Sequence, residues 1–345
     1  MTITAQHLLS GDKLPLRLHC LALTLTQIAS QHGMVLDGRD GEIQRFTTLS
    51  DLTASGGIAV TYLTSPRFAN LLRSGDDVAV VTRPEFRRHL QAGNIALIVE
   101  GGDPHDAFYA AFAGAVEGGS FEKLTPFVSP HARIHQAAVI SDNVHIEAGA
   151  AIGAGAVILP NTYVGADVVI KPNATVGGDG FENAIIRGRH TVVPHAGGVW
   201  LSEGVHVGSS TCIDRGLFGD FTFLGPHTTM DNLVHFAHSA RAGKDCSLTA
   251  CAEVSGGVVL GDGVWLAPNV AVNQSLTIGD HCFVGTGAVV TRNLLPHALA
   301  WGSPARVIGR ACVCRAKLQF ENELAVCDKC GRGYRMNAEG QVQHA

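Results

Sequence analysis

The strongest constraint on the fold is a six-residue repeat. From Ile134 to Val176 every sixth residue is a β-branched aliphatic residue, and the pattern resumes at Leu201, slips by five after Ile213 and continues to Val290. A period of six is neither the 3.6 residues of an α-helix nor the two of a simple strand. One inward aliphatic side chain per six residues fits short strands joined by turns, three of which close a triangular coil of about eighteen residues. The repeat therefore predicts a mainly β protein built as a parallel β-helix.

The composition agrees with a turn-rich β protein and excludes several classes. Glycine supplies 41 of 345 residues, hydrophobic residues make up 46% and charged residues only 16%, which argues against disorder. The net charge of −5 argues against a general nucleic-acid binder. Because no apolar run reaches the ~18 residues of a membrane span and the first residues lack the order of a signal peptide, we expect a cytoplasmic protein without integral membrane association.

Three regions differ in pattern. We predict a small α/β domain over residues 1–112, a β-helix over 113–309 and a separate module over 310–345. The first region has apolar runs bounded by Gly and Pro, which predict strands. These runs are IAVTYLTSP, DDVAVVTRP and NIALIVEGG, and helices are predicted at LTLTQIASQHG, RFANLLRSG, PEFRRHLQAG and DPHDAFYAAFAGAV.

The six-residue pattern is interrupted twice, over residues 177–200 and between 213 and 224. Insertions in a solenoid project outward, often onto one face, and frequently carry function. The alternative is a pair of tolerated surface loops.

Four segments in order resemble motifs of hexapeptide-repeat acyltransferases, and most closely the UDP-3-O-acylglucosamine N-acyltransferases of lipid A synthesis, over roughly residues 21–308. TYLTSPRFANLL resembles the uracil-holding segment, GGDGFEN the GxDGFG loop, CIDRGLFGD the TIDRG segment and MDNLVHFAHSARAG the DN…IAHN catalytic stretch. The resemblance implies a left-handed β-helix and a homotrimer with active sites between adjacent subunits. It also implies acyl transfer to the amine of a UDP-linked amino sugar.

The resemblance places His238 at the position of the catalytic base. An amine loses a proton as it attacks an acyl thioester, and imidazole is suited to take that proton near neutral pH. Asp231 and Asn232 are the candidate orienting partners, and His235 is the alternative base. An oxyanion donor is expected near Gly256 or its neighbour Gly257, one coil further along the chain.

For the acceptor, Tyr62 and Phe68 align with the two aromatic residues that sandwich uracil in the family, unless they fill the core of the small domain. Ser65 stands where the family usually has an Asn that reads the uracil edge. The first interruption, residues 177–200, which we call the excursion loop, is expected to bring three residues near the sugar-phosphate or acceptor, namely Asp179, Gly180 and Phe181.

Two features bear on the acyl donor. Gln274 replaces a second functional His of the family, so a titrating group is missing there. The segment Trp301–Arg306 resembles the GxPA(K/R) ending of acetyl-CoA-dependent hexapeptide enzymes. The donor is therefore either an acyl-CoA or an acyl chain on the phosphopantetheine of an acyl carrier protein.

Four C-terminal cysteines have the spacing of a metal site. Cys312, Cys314, Cys327 and Cys330 form CxC, twelve residues, then CxxC followed by glycine. Such a knuckle aims thiolates at one tetrahedral ion, and a bound ion would stabilise a module too small for its own core. The prediction is a structural zinc-ribbon-like module, with redox-active thiols or another metal as alternatives.

Two other functions remain open. Gamma-class carbonic anhydrases share the β-helix and bind zinc through histidines at subunit interfaces, for which His227, His235 and His238 are candidates. A β-helix that binds nucleotide sugars without turnover is the non-enzymatic alternative.

Overall fold

The computed structural model describes residues 2–3, 17–52, 57–75, 77–186 and 188–344, with side chains from residue 17 onward. Residues 4–16, which belong to the segment considered above for a signal peptide, lie outside this description. Within the described ranges, no helix has both the length and the apolar character needed to span a membrane.

The N-terminal region contains a five-stranded sheet flanked by helices. The strand order is Met34–Asp37, Ile95–Val99, Val78–Thr82, Ile58–Leu63 and Ile43–Phe46, and only the first of these runs antiparallel to its neighbour. The three predicted strands are present, together with two that were not predicted.

In the described part of this region, two α-helices and three short 3₁₀-helices accompany the sheet. Helix α1 is Leu25–Gln31, capped by Thr24, and helix α2 is Pro104–Glu117, capped by Asp103. The segments RFANLLRSG and PEFRRHLQAG form 3₁₀-helices rather than α-helices, and each lasts only six residues, in keeping with the short segments in which 3₁₀ geometry occurs. The 3₁₀-helices are Leu49–Asp51, Pro66–Leu71 and Pro84–His89.

The central region is the predicted left-handed parallel β-helix, a triangular prism with three faces. Face A contains Phe127–Val128, His145–Ile146, Thr162–Val164, Gly198–Leu201, Phe221–Leu224, Arg241–Ala242, Val259–Leu260 and Thr277–Ile278. Face B contains Arg133–Ile134, Ala151–Ile152, Val169–Ile170, His206–Val207, Thr229–Met230, Ser247–Leu248, Trp265–Leu266 and Phe283–Val284. Face C contains Val139–Ile140, Val157–Ile158, Thr175–Gly178, Cys212–Asp214, His235–Phe236, Glu253–Val254, Ala271–Val272 and Val289–Val290. A short parallel pair, Thr2–Ile3 with Lys123–Leu124, precedes them.

The residues of the six-residue pattern form the core of the prism. Regular coils pair residues eighteen apart, as in Ile140 with Ile158, so the aliphatic side chains stack in one column. Ile158, Val254 and Leu266 are fully buried in that column. The hydrophobic effect therefore explains why one residue in six is aliphatic.

Both interruptions leave the prism at the same corner, between faces C and A, which we call the C–A edge. The first contains the hairpin Asn183–Ile186 and Arg189–Val192, and the second follows in the next coil. Ala184 and Phe218, one from each interruption, are buried in the same cluster as Phe108 and Phe112 of helix α2. The interruptions thus join the β-helix to the N-terminal sheet and are not free surface loops.

The C-terminal residues extend face B and then form a small sheet of their own. Ala298–Trp301 pairs with Phe283–Val284 and then, antiparallel, with Arg306–Ala311, which pairs with Lys317–Leu318. A three-stranded antiparallel sheet follows, made of Leu324–Val326, Gly333–Met336 and Val342–His344. These strands cover the last edge of face B, which would otherwise expose unpaired backbone groups.

Candidate active site

His238 lies on the C–A edge, in the turn that follows strand His235–Phe236. Its side chain is 18% exposed and is flanked by two glycines. A Cβ atom on Gly256 would lie 2.7 Å from both Cε1 and Nε2 of the imidazole, and one on Gly180 would lie 2.8 Å from Cδ2. The ring therefore occupies a slot, which we call the His238 slot, that no residue larger than glycine could form.

The two walls of the His238 slot come from different parts of the chain. Gly256 is eighteen residues after His238, so it lies at the same corner of the next coil. Gly180 comes from the first interruption. The coil repeat supplies one wall and the inserted loop supplies the other, which fixes the position of the ring.

Glu182 and His195, which the sequence analysis did not single out, complete the surroundings of the ring. Glu182 Oε2 lies 3.9 Å from His238 Nε2. The other oxygen, Oε1, accepts a hydrogen bond of 2.9 Å from the hydroxyl of Tyr109 on helix α2. A signal for Glu182 was present, because it stands where the GxDGFG motif has its last glycine.

The imidazole of His195 lies edge-on to that of His238, with 5.2 Å between ring centroids. Its Nδ1–H donates to the carbonyl oxygen of Val193 at 2.9 Å. Burial, and secondarily the neighbouring His238, lower the pKa of His195. His195 is therefore a neutral ring whose Nε2 is an acceptor.

Asp231 and Asn232 do not approach His238 within one chain. They lie in the turn between faces B and C, a different corner of the prism. The side-chain oxygen of Asn232 accepts from the backbone N–H of Ser209 at 2.8 Å, and Asp231 Oδ1 accepts from the N–H of Asn232 at 2.7 Å. An orienting contact to His238 from either residue would have to come from another copy of the chain.

His235 points outward from face C, three residues before His238. Its Nε2 is hydrogen bonded to Asp214 Oδ2 at 3.0 Å, and this bond raises the pKa of His235. The side chain is 47% exposed. His235 therefore lies outside the His238 slot, and its imidazole is already paired with the carboxylate of Asp214.

The excursion residues named by the sequence analysis lie on the same edge. Asp179 pairs with Arg215, a residue of the second interruption, at 3.1 Å. Arg215 Nε also donates to the carbonyl of Gly177 at 2.8 Å, and burial lowers its pKa. Phe181 is 75% exposed, so its ring is available for contact. Gln274 is exposed at the same corner two coils beyond His238, which corresponds to about 10 Å along the prism.

The two aromatic residues of the N-terminal segment differ in environment. Tyr62 is half-buried against His105 and Phe108, with ring centroids 5.3 and 4.9 Å away, and burial raises its pKa. Phe68 is 37% exposed, and the guanidinium of Arg67 lies 4.5 Å from its ring centre. Ser65 precedes the 3₁₀-helix that carries Phe68.

The four C-terminal cysteines converge on one point. Their sulfur atoms all lie within 4.8 Å of one another, with 3.4 Å between Cys312 and Cys330 and 3.5 Å between Cys314 and Cys327. Four sulfurs around a tetrahedral zinc are about 3.8 Å apart, given Zn–S bonds of about 2.3 Å. The donor set therefore fits a single metal ion.

The three histidines of the carbonic anhydrase alternative are not gathered in one chain. His227 lies in the turn between faces A and B, His235 on face C and His238 on the C–A edge. Within the described ranges, the four cysteines are the group of metal-binding side chains close enough to share an ion.

Comparison with known proteins identifies relatives along most of the chain. The bacterial transferase hexapeptide family (six repeats) matches residues 143–178 and 257–292. A UDP-3-O-acylglucosamine N-acyltransferase of Caulobacter sp. strain K31 is 41% identical over 119 residues, which is 34% of each chain. The protein of the same name from Methylorubrum extorquens strain PA1 is 32% identical over 92% of this chain and 97% of its own. A solved UDP-N-acetylglucosamine acyltransferase from Campylobacter jejuni matches 52% of this chain and 75% of its own, at 22% identity and a TM-score of 0.44.

Proposed function

Because the chain belongs to the UDP-3-O-acylglucosamine N-acyltransferase family, we propose that it transfers an acyl group from a thioester to the amine of a UDP-linked amino sugar, with His238 as general base. The observation that carries this proposal is the His238 slot. It holds one imidazole on the edge where the excursion loop and helix α2 meet the β-helix.

The proposed reaction needs no covalent enzyme intermediate. The amine nitrogen attacks the thioester carbonyl carbon while His238 takes a proton from that nitrogen. The C–S bond then breaks, and the departing thiolate accepts the proton from the imidazolium. The carbonyl oxygen becomes negative in between and requires a hydrogen-bond donor.

Gly256 is the better of the two predicted oxyanion donors. The N–H of Gly257 already donates to the carbonyl of His238 at 3.0 Å. Among the hydrogen bonds of the described residues, the N–H of Gly256 makes none. Because Gly256 also forms a wall of the His238 slot, we assign its N–H to the negative charge that develops on the carbonyl oxygen.

We assign the uridine of the acceptor to the surface around Phe68, Tyr62 and Ser65. Helix α2 connects this surface to the C–A edge, where His238 lies. Tyr62 packs against Phe108 of helix α2, and Tyr109 of the same helix binds Glu182 beside His238. An aromatic face binds a base by stacking, and the exposed ring of Phe68 supplies one.

A homotrimer would bring together what one chain keeps apart. Asp231 and Asn232 at one corner can meet His238 at another corner only across two copies of the chain. In equal mixtures of His238→Ala and Asp231→Ala subunits, refolded together, we expect about a quarter of the sites to have both side chains and to regain activity. Mixtures as inactive as their components would contradict a shared site.

Replacement of His238 tests the proposed base directly. We expect His238→Ala to lower kcat by about 10²- to 10⁴-fold without changing the oligomer or the unfolding temperature. Product formation is measured by mass spectrometry with UDP-glucosamine and a series of acyl-CoA and acyl carrier protein donors, which also identifies the donor.

His235→Ala is the matched control, because it removes an imidazole three residues away. We expect this variant to keep most of its turnover. Near-normal turnover in His238→Ala, with loss in His235→Ala, would transfer the role of base to His235.

We further propose that the cysteine cluster binds a structural zinc ion. Cys312 and Cys327 are buried with Tyr334 in the small core of the module. Metal analysis should give about one zinc per chain, lost in the double variant Cys327→Ser and Cys330→Ser. A second zinc that survives this change would support a histidine site instead. We also propose a cytoplasmic location, because the five cysteines outside the cluster are not paired in disulfides and a reducing compartment keeps thiols in that state.

A further inference from the structure

The carboxylate of Glu182 and the imidazole of His238 face each other across a gap. The 3.9 Å between Oε2 and Nε2 is too long for a hydrogen bond. It is nevertheless less than twice an ordinary N···O distance of about 2.9 Å, so a single nitrogen atom in the gap can reach both atoms. Both side chains are partly exposed, at 28% and 18%, so neither is closed off from an incoming molecule.

Glu182 is held with one oxygen directed into this gap. Oε1 accepts from the hydroxyl of Tyr109, whose side chain is 3% exposed and therefore has a fixed position. Among the described ion pairs, Glu182 has no lysine or arginine partner, and its contact is with His238. A negative charge without a cation thus lies next to the proposed base.

We propose that Glu182 determines acceptor specificity by recognising the amine of the sugar in the gap between its carboxylate and His238. This inference rests on the proposed function. It names the residue that selects an amine rather than a hydroxyl as the nucleophile. A primary amine carries positive charge near neutral pH, whereas a hydroxyl does not. The carboxylate therefore favours an amine over a hydroxyl at the same carbon.

The same charge favours the reaction of an amine. The bound ammonium first releases one proton to solvent, because only the neutral amine has a lone pair that can attack. When the C–N bond forms, the nitrogen keeps its two remaining protons and becomes positive until His238 removes one of them. Glu182 faces that positive charge throughout. It gains and loses no proton, so the balance of the transfer step is unchanged.

Binding of two sugars that differ only at the reacting group tests the proposal. UDP-glucosamine and UDP-glucose are titrated calorimetrically into the wild-type protein and Glu182→Gln at pH 7 and low salt. Glutamine keeps the size and the contact with Tyr109 but removes the charge. We expect the wild-type preference for UDP-glucosamine to fall about three- to tenfold, the range for a partly exposed charged hydrogen bond.

Two further variants separate this role from a structural one. Glu203→Gln removes an exposed carboxylate from the turn between faces A and B and should leave the preference unchanged. Tyr109→Phe frees Oε1 and should lower the preference by a smaller factor than Glu182→Gln. An unchanged preference in Glu182→Gln, or equal weakening of both sugars, would overturn the proposal. Absence of acyl transfer by the wild-type protein would instead overturn the proposed function.

Discussion

A methyl group at Gly256 should impair catalysis while leaving the fold nearly intact. In Gly256→Ala the new Cβ would lie 2.7 Å from Nε2 of His238, whereas ordinary contacts begin at 3.4 Å. The ring must therefore move by about 0.7 Å. Gly180 closes the Cδ2 side, so the ring can move only toward solvent. A misplacement of about 1 Å costs about 10²-fold, so kcat/KM should fall about 30- to 100-fold, or about 2 to 3 kcal/mol of transition-state stabilisation.

The stability of the same variant should barely change. Gly256 does not have a left-handed backbone, and alanine reduces the entropy of the unfolded chain, which offsets the displacement of a partly exposed ring. Gly178→Ala is the matched control, because its Cβ would meet only Leu159 at 4.0 Å. Product formation is followed by mass spectrometry, and unfolding by urea titration. A kcat/KM within about threefold of the wild-type value, or an equal loss in Gly178→Ala, would refute the reasoning.

Two further predictions concern binding and pH. Phe68→Ala should raise KM for the UDP-sugar about tenfold with little change in kcat, since stacking on a base contributes about 1 to 3 kcal/mol. Leu71→Ala, on the same 3₁₀-helix, should leave KM unchanged. Equal effects of the two variants on KM would contradict a stacking role. Burial lowers the pKa of His195 below 6.5, so the unfolded chain binds more protons there and stability falls as pH decreases below about 6.5. The unfolding free energy of His195→Asn, measured by urea titration, should therefore fall less than that of the wild type between pH 7 and about 5, and equal slopes would contradict this account.

The column of the β-helix was predictable because burial dictates its residues directly. Each inward position faces only other inward positions. Burial therefore requires an aliphatic residue at positions such as Ile158 and Val254, and the sequence shows which positions are buried. The coil length follows from the same pattern. The coil length also identifies Gly256 as the residue next to His238 in the following coil, because residues at one corner are eighteen apart in sequence.

The surroundings of His238 were less predictable, for a related reason. Asp231 is close to His238 in sequence, but seven residues of this coil lead to a different corner. Glu182 and His195 lie in an interruption that has no repeat to fix its geometry. The position of Glu182 depends on Tyr109, seventy-three residues earlier, and only the packing of helix α2 on the loop reveals that contact.

The placement of both interruptions at one corner has a consequence for redesign. Residues added at the C–A edge never enter the aliphatic column, so the length and chemistry of these loops can change without altering the stack beneath them. Protein engineers could therefore vary exposed positions of the hairpin, such as Ile185 and Val192, to accept other sugars while keeping Gly180 and Glu182 beside His238. The β-helix would keep its register, and the imidazole of His238 would stay in the same coil.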